Sequence, residues 1–189
     1  MFKKYFKNLS FSLFFCTISN FSFSLDESDV FLDSVFFTAV KKSNYDKTKE
    51  MLAKGVSVNA KDSDDLVALA YALKNDDVKM FNLLIENGAE INTLILKGTS
   101  LLIFYVTDYR YLLIKNILDV GAKINFQDKL GRTALMHAIE KRNSDAVRIL
   151  FEQEFDKTLT DFSGKDIVDY SKVARNNYIK NLITKTESH

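Results

Sequence analysis

Apolar residues recur along most of this chain at helical spacing, in two short stretches per unit with a polar break after each pair. In one unit Leu135, Ala138 and Ile139 stand at i, i+3 and i+4, and Val147, Leu150 and Phe151 repeat that spacing. Segments 133–141 and 144–152 therefore predict two short helices, each with a single buried stripe. The apolar pairs Met51-Leu52, Leu84-Ile85, Ile117-Leu118 and Leu150-Phe151 fall 33 residues apart, and so do Leu69, Leu102, Leu135 and Val168. A fixed period of this length marks an internal repeat, in which each unit buries its apolar face against the next.

The glycines obey the same period. Gly55, Gly88 and Gly121 form one series and Gly98, Gly131 and Gly164 another, which accounts for all 6 glycines of the chain. The first series follows the second helix of a unit, where a C-terminal residue turns into the left-handed region without a Cβ penalty. The second lies ten residues later, at the turn that reverses the chain before the next unit. Asp62, Asp128 and Asp161 stand just ahead of that turn, where a short carboxylate can accept from the loop's own backbone N–H groups. Asn59, Asn92 and Asn125 repeat the step as well. With 6 Gly and no Pro, the chain favours helices with short connections over a loop-rich β fold.

The run Gly131-Arg132-Thr133-Ala134-Leu135-Met136-His137-Ala138, followed by Ile149-Leu150-Phe151, resembles the ankyrin repeat, as does Leu84 through Asn92 with its Gly88-Ala89-Glu90-Ile91-Asn92 ending. The resemblance covers roughly residues 30–185 and implies an all-α fold: an ankyrin-repeat solenoid of helix–turn–helix units joined by hairpin-like loops. The units are expected at 30–61 (an N-terminal cap), 62–94, 95–127, 128–160 and 161–185 (a C-terminal cap). Lys41, Lys42, Lys172, Arg175 and Lys180 supply the polar outer faces that terminal repeats need. Residues 26–29 are expected to be a disordered lead.

Several positions depart from the family pattern. Ala68, Leu101 and Ala134 replace the proline of its Thr-Pro-Leu-His motif, and Ala70, Ile103 and Met136 fill the histidine slot. His137 lies one residue late and is not expected to make that histidine's hydrogen bond. Asp65 replaces a turn glycine and should keep the turn, whereas Glu154 replaces a helix-ending glycine and should force a different ending. Tyr105 stands where the first helix packs closely through small residues, and is expected to widen or tilt that unit.

The first two dozen residues have a separate composition. Lys3, Lys4 and Lys7 precede an apolar stretch over 9–18, then Ser22-Phe23-Ser24, and no acidic residue occurs before Asp26. This is the layout of a secretory signal, with a cut expected near Ser24/Leu25. An uncleaved anchor is disfavoured because the stretch is shorter than the roughly 20 apolar residues of a span. An ordinary amphipathic helix is disfavoured by the weak 3.6-residue periodicity. Cys16 follows Phe15, which does not suit lipidation. Export would carry the chain to the periplasm or outside the cell, and removal of 1–24 would take the net charge from +1 to −2. No membrane span is then expected to remain.

The near-balanced charge announces no face for nucleic acid, and a monomer with no cofactor is expected. The single Cys and 2 His leave no zinc cluster. Thr160 through Lys165 lacks the Gly-x-Ser-x-Gly elbow, and Lys54-Gly55 and Gly164-Lys165 lack the spacing of a phosphate loop. No catalytic set emerges, so the expected function is protein binding. The alternatives are an inhibitor or protective regulator of a periplasmic enzyme, or a scaffold of an envelope assembly.

By position, the resemblance implies contacts from the hairpin tips and the inner side of each first helix. These are Ser63, Asp64, Leu66, Lys74 and Asn75 in the second unit, and Leu96, Lys97, Thr99, Thr107 and Asp108 in the third. The fourth offers Lys129, Leu130, Arg132, Glu140 and Lys141, and the last turn adds Phe162 and Lys165. The third unit's tip is unusual, because Leu94-Ile95-Leu96 replaces polar residues. Those side chains either bind a partner together with Leu130 and Phe162, or pack on Phe104 and Tyr105.

Overall fold

The computed structural model describes residues 27–184, so the expected signal segment at 1–24 lies outside the described residues. Five helix pairs follow one another: α1 (Glu27–Lys41) and α2 (Tyr45–Ala53), α3 (Ala68–Lys74) and α4 (Val78–Glu86), α5 (Leu101–Thr107) and α6 (Ile114–Asp119), α7 (Ala134–Glu140) and α8 (Ser144–Phe151), α9 (Ile167–Val173) and α10 (Asn177–Thr184). The first helices stack in one row, α1 on α3 on α5 on α7 on α9, and α6, α8 and α10 stack behind them. No strand forms among the described residues. Only the isolated bridges Lys61–Val67 and Ile95–Thr99 mark the hairpin-like loops. The all-α solenoid is thus the observed fold. Residues Glu27 to Asp29 are the first turn of α1 rather than a disordered lead.

Small side chains let the first helices lie close together. Ala68, Ala70 and Ala72 of α3 and Ala134 and Ala138 of α7 are buried, and Leu69, Leu102 and Leu135 fill the space between the two helices of each unit and its neighbours. Burying each such leucine contributes about 1.5–3 kcal/mol relative to leaving it in water. No unit could bury both faces alone, so the core runs continuously along the stack.

Each pair is closed by one device. Ser43, Asp76, Tyr109, Arg142 and Arg175 all have positive φ, between 51° and 60°, and recur every 33 residues. In the fourth unit Arg142 N–H donates to the Ile139 carbonyl at 2.9 Å and Asn143 N–H to the Ala138 carbonyl at 3.0 Å, which satisfies the orphan carbonyls of α7. The next residue caps the second helix: Asn44, Asp77 and Asn143 accept from Lys47, Met80 and Ala146 N–H, and Asn176 does the same for Ile179.

The third unit breaks this rule at Arg110, which cannot accept a hydrogen bond. Helix α6 has no side-chain cap and begins at Ile114, three residues later than the period of Tyr45, Val78 and Ser144 would place it. Arg110 instead bridges Asp76 and Asp108. Tyr105 accounts for the rest of the irregularity. Its buried ring carries a hydroxyl that donates to Asp76 at 2.7 Å and accepts from Leu113 N–H at 2.9 Å. The phenol thus takes up an amide at the start of the delayed helix.

A second device links unit to unit. Asn59 donates to the Gly88 carbonyl at 3.0 Å and accepts from Glu90 N–H at 2.9 Å, and Asn92 does the same with Gly121 at 3.0 Å and Lys123 at 3.0 Å. Asn125 accepts from Asp156 N–H at 3.0 Å but has no matching carbonyl. The reason is Glu154, which does not take the positive φ of Gly55, Gly88 and Gly121, so the chain leaves α8 by a different path.

Candidate protein-binding surface

Four hairpin tips project from the row of first helices. Each is closed by the same main-chain bond: Asp62 N–H to Leu66 O, Ile95 to Thr99, Asp128 to Arg132 and Asp161 to Lys165, at 2.9, 2.9, 3.0 and 2.9 Å. The residue before the closing pair lies at positive φ: Asp65, Gly98, Gly131 and Gly164. Asp65 thus keeps the turn.

The aspartates hold these tips from inside. One oxygen of Asp128 accepts from Leu130 and Arg132 N–H at 2.8 and 2.9 Å, and one oxygen of Asp161 accepts from Ser163 and Lys165 N–H, both at 2.9 Å. Asp62 does the same for Asp64 and Leu66. The other oxygen of each meets a side chain nine residues on: the Tyr71 hydroxyl, the His137 ring at 2.8 Å and the Tyr170 hydroxyl at 2.8 Å. His137, one residue past the family's histidine slot, thus makes a structural hydrogen bond of its own, because a ring on α7 faces back toward its own hairpin.

The electrostatics follow from this geometry. Burial alone would raise the Asp62 and Asp128 carboxyls, but the hydrogen bonds they accept outweigh it and hold both below the usual carboxylate range. Asp161 is lowered too, first by the Lys165 N–H and then by the Ser163 hydroxyl. Burial pushes His137 down more than the Asp128 carboxylate pulls it up, so the neutral ring donates its Nε2–H.

The second tip is built differently. Ile95, in the aspartate position, is fully buried, and the position nine residues on is Phe104. Asp65 of the preceding tip substitutes, accepting Lys97 N–H on its carboxylate at 2.8 Å. Neighbouring tips are also tied directly, with Phe162 N–H donating to the Leu130 carbonyl at 2.9 Å and Gln127 donating to the Gly131 and Thr160 carbonyls at 2.6 and 2.9 Å. The apolar segment thus divides: Ile95 packs, while Leu94 and Leu96 are exposed.

Most of the expected contact residues reach solvent. Ser63, Asp64, Lys97, Lys129 and Lys165 are exposed on the tips, and Lys74, Asn75, Asp108 and Glu140 are exposed at the ends of the inner helices. Thr99, Thr107, Arg132 and Lys141 are half-buried. Arg132 is engaged with Asp128 and Glu140, and the Thr107 hydroxyl with the Phe104 carbonyl. Leu66 is a correction. Its carbonyl closes the first hairpin and its side chain joins the core, so it is buried and leaves the surface set. The tips also carry exposed apolar groups, Leu96 at 46%, Leu130 at 57% and Phe162 at 76%.

Sequence reasoning missed Val173. It continues the inner row Lys41, Lys74, Thr107 and Glu140 at the same step, is exposed, and borders a cavity of about 220 Å³ with Glu140 and Lys165. The period alone could have found it. Leu112, exposed in the loop before α6, follows from the missing cap at Arg110 and had no periodic signal, while Tyr109, also exposed, stands at the regular turn position.

Comparison with known proteins agrees with the architecture. A family model described as ankyrin repeats (3 copies) matches residues 101–188, and one described as ankyrin repeats (many copies) matches residues 36–85. An ankyrin repeat protein of fowlpox virus (strain NVSL) is 32% identical over 105 residues, covering 56% of this chain and 15% of the viral protein. Ankyrin repeat and SOCS box protein 6 of Homo sapiens is 29% identical over 126 residues, 62% of this chain and 30% of its own length. An ankyrin repeat protein of Acanthamoeba polyphaga mimivirus is 23% identical over 135 residues, 71% of this chain and 18% of its own. The chain thus spans less than a third of the length of these relatives. Helix pairs of 33-residue period, aspartate-held tips and two family matches that together take in most of the residues place this chain in the ankyrin-repeat family.

Proposed function

We propose that this chain is an exported, non-catalytic module that binds another protein through its hairpin tips and the inner face of its first helices. Ankyrin repeat proteins generally mediate protein–protein interaction, and the family is typically non-catalytic. The observation that carries the reading here is the fixing of the tips. Carboxylates accept two backbone N–H groups each at three of them, and Phe162 N–H joins the last tip to the one before it. A partner then meets a surface already ordered, and little of the interaction energy is lost to immobilising loops. Export rests on the basic, then apolar, then small-residue order of residues 1–24. No described helix is long and apolar enough to cross a membrane.

Two measurements test this. Intact mass of the protein from fractionated cells should be short by residues 1–24, and the shortened form should lie in the soluble envelope or medium fraction. Full-length protein in the cytoplasm would overturn export. A photo-reactive residue at Leu130 should cross-link a protein of the same compartment, whereas one at Lys115 on the outer helix α6 should not. Equal labelling from both positions would overturn the tip-face reading.

A further inference from the structure

The second, third and fourth tips differ from the first in one shared way. Leu96 with Lys97, Leu130 with Lys129 and Phe162 with Lys165 each put an exposed apolar residue and an exposed lysine in the same tip, where the first tip offers Ser63 and Asp64. Among the described residues none of these three lysines forms a salt bridge, although Lys41, Lys61 and Arg132 all do on the same side of the molecule. The carboxylates of the region are already engaged. Asp65 holds Lys61 and the Lys97 N–H, Asp128 holds its own hairpin and His137, and Asp161 holds its own hairpin and Tyr170. What faces outward from these three tips is therefore apolar surface and positive charge, with Leu94 exposed near Leu96 at the second tip and Asp169, itself paired with Lys172, near Lys165 at the last.

The tips follow the spacing of the stacked helices, about 8–10 Å for packed helices. An extended chain in the polyproline II conformation rises about 3.1 Å per residue and returns to the same side every three residues, a step of about 9 Å. A partner segment in that conformation presents every third side chain to successive tips. We propose that the tips at 96–98, 129–131 and 162–165 bind an extended acidic segment of a partner protein. The segment carries an apolar residue at about every third position and carboxylates between, and the first tip lies outside the footprint. This inference rests on the protein-binding reading and adds the partner's chemistry and the position of the site. The apolar residues supply the buried contacts, and the carboxylates meet Lys97, Lys129 and Lys165 and set orientation.

The test is selection of a random linear peptide library, displayed on phage, against the full chain. Peptides enriched on the protein should be acidic with an aliphatic or aromatic residue at every third position. Their affinity should fall about tenfold or more in the Lys97→Glu/Lys129→Glu/Lys165→Glu variant and should weaken as salt is raised. Helical circular dichroism checks that the variant is folded. If the reversal unfolds it, Lys97→Gln/Lys129→Gln/Lys165→Gln should show a smaller loss of the same sign. Enriched peptides that are neutral or basic, or that bind the tip variants unchanged, overturn the inference. If those peptides instead lose binding to Lys74→Glu/Lys141→Glu, the inner helix face is the site, so protein binding stands and this inference fails. No enrichment on any of these proteins overturns both.

Discussion

The His137 ring meets the Asp128 carboxylate at 2.8 Å, nine residues back along the chain and across the hairpin that joins them. Tyr71 with Asp62, two unit steps before, and Tyr170 with Asp161, one step after, make the same contact. Two chemically different donors thus serve one position, and they differ in a way that pH can read. The His137 pKa is lowered in the folded chain, first by burial, so the unfolded chain takes up a proton before the folded one does. Stability from this site is complete above the unfolded value of about 6.5 and is lost as pH falls through the lower folded value. The melting temperature should therefore decline from about pH 6.5 downward, with a further decline below about pH 4 as Asp62 and Asp128, also lowered, are protonated. The His137→Tyr variant, which copies Tyr71 and Tyr170, should remove the upper phase and keep the lower one. A wild-type melting temperature that is flat between pH 7 and 5 would dismiss this role for His137.

Ile95 and Phe104 occupy the two positions that hold an aspartate and its partner in the other units, and both have lost their polar groups together. Restoring one without the other should be harmful. Ile95→Asp alone puts a carboxylate into a fully buried position and should cost about 3 kcal/mol or more in urea unfolding. Adding Phe104→Tyr supplies the hydroxyl that Tyr71 and Tyr170 supply, and should recover about 1 kcal/mol or more. A double variant no more stable than the sum of the two single effects would show that the second tip cannot adopt the geometry of its neighbours.

The asparagine links should show their own asymmetry. Asn92 makes both an accepted and a donated bond to the next loop, whereas Asn125 makes only the accepted one. Asn92→Ala is expected to cost about 2 kcal/mol and Asn125→Ala about 1 kcal/mol, counting about 1 kcal/mol for each hydrogen bond lost. Equal costs would mean that the altered path at Glu154 has no energetic consequence for the link.

What the sequence made legible depends on how narrow a chemistry each position accepts. A left-handed turn held by Gly98, Gly131 and Gly164, or an amide that must donate and accept at once, as at Asn59 and Asn92, repeats one residue type and so announces the period. The turn inside each helix pair is equally regular in the backbone, yet Ser43, Asp76, Tyr109, Arg142 and Arg175 share no chemistry. Such a turn is held by main-chain bonds, as at Arg142, leaving the side chain free to vary. The partners of the tip aspartates were hidden for a related reason, since Tyr and His donate equally well. The surface was legible in outline, because its residues follow the period. Its chemistry was not, because whether Asp161 or Lys165 faces a partner depends on which of them the hairpin itself consumes.

Gly131 and Gly121 separate the two demands that a glycine can meet. Both have positive φ, +78° and +89°, so alanine is strained at either by about 1–2 kcal/mol. At Gly121 an added Cβ meets nothing within 4 Å. At Gly131 it would lie 2.5 Å from a ring carbon of Phe162 and 2.7 Å from the Phe162 backbone nitrogen. The ring can swing away, but the nitrogen is held by its bond to the Leu130 carbonyl at 2.9 Å. Gly131→Ala should therefore cost more than Gly121→Ala, by about 1–3 kcal/mol in urea unfolding. Adding Phe162→Ala to Gly131→Ala should recover only part of the difference, because the backbone contact remains. Full recovery would place the conflict in the ring alone and show that the last two tips are free to part. Equal costs for the two single variants would remove the close approach of these tips altogether, and with it the fixed spacing on which a partner shared between them depends.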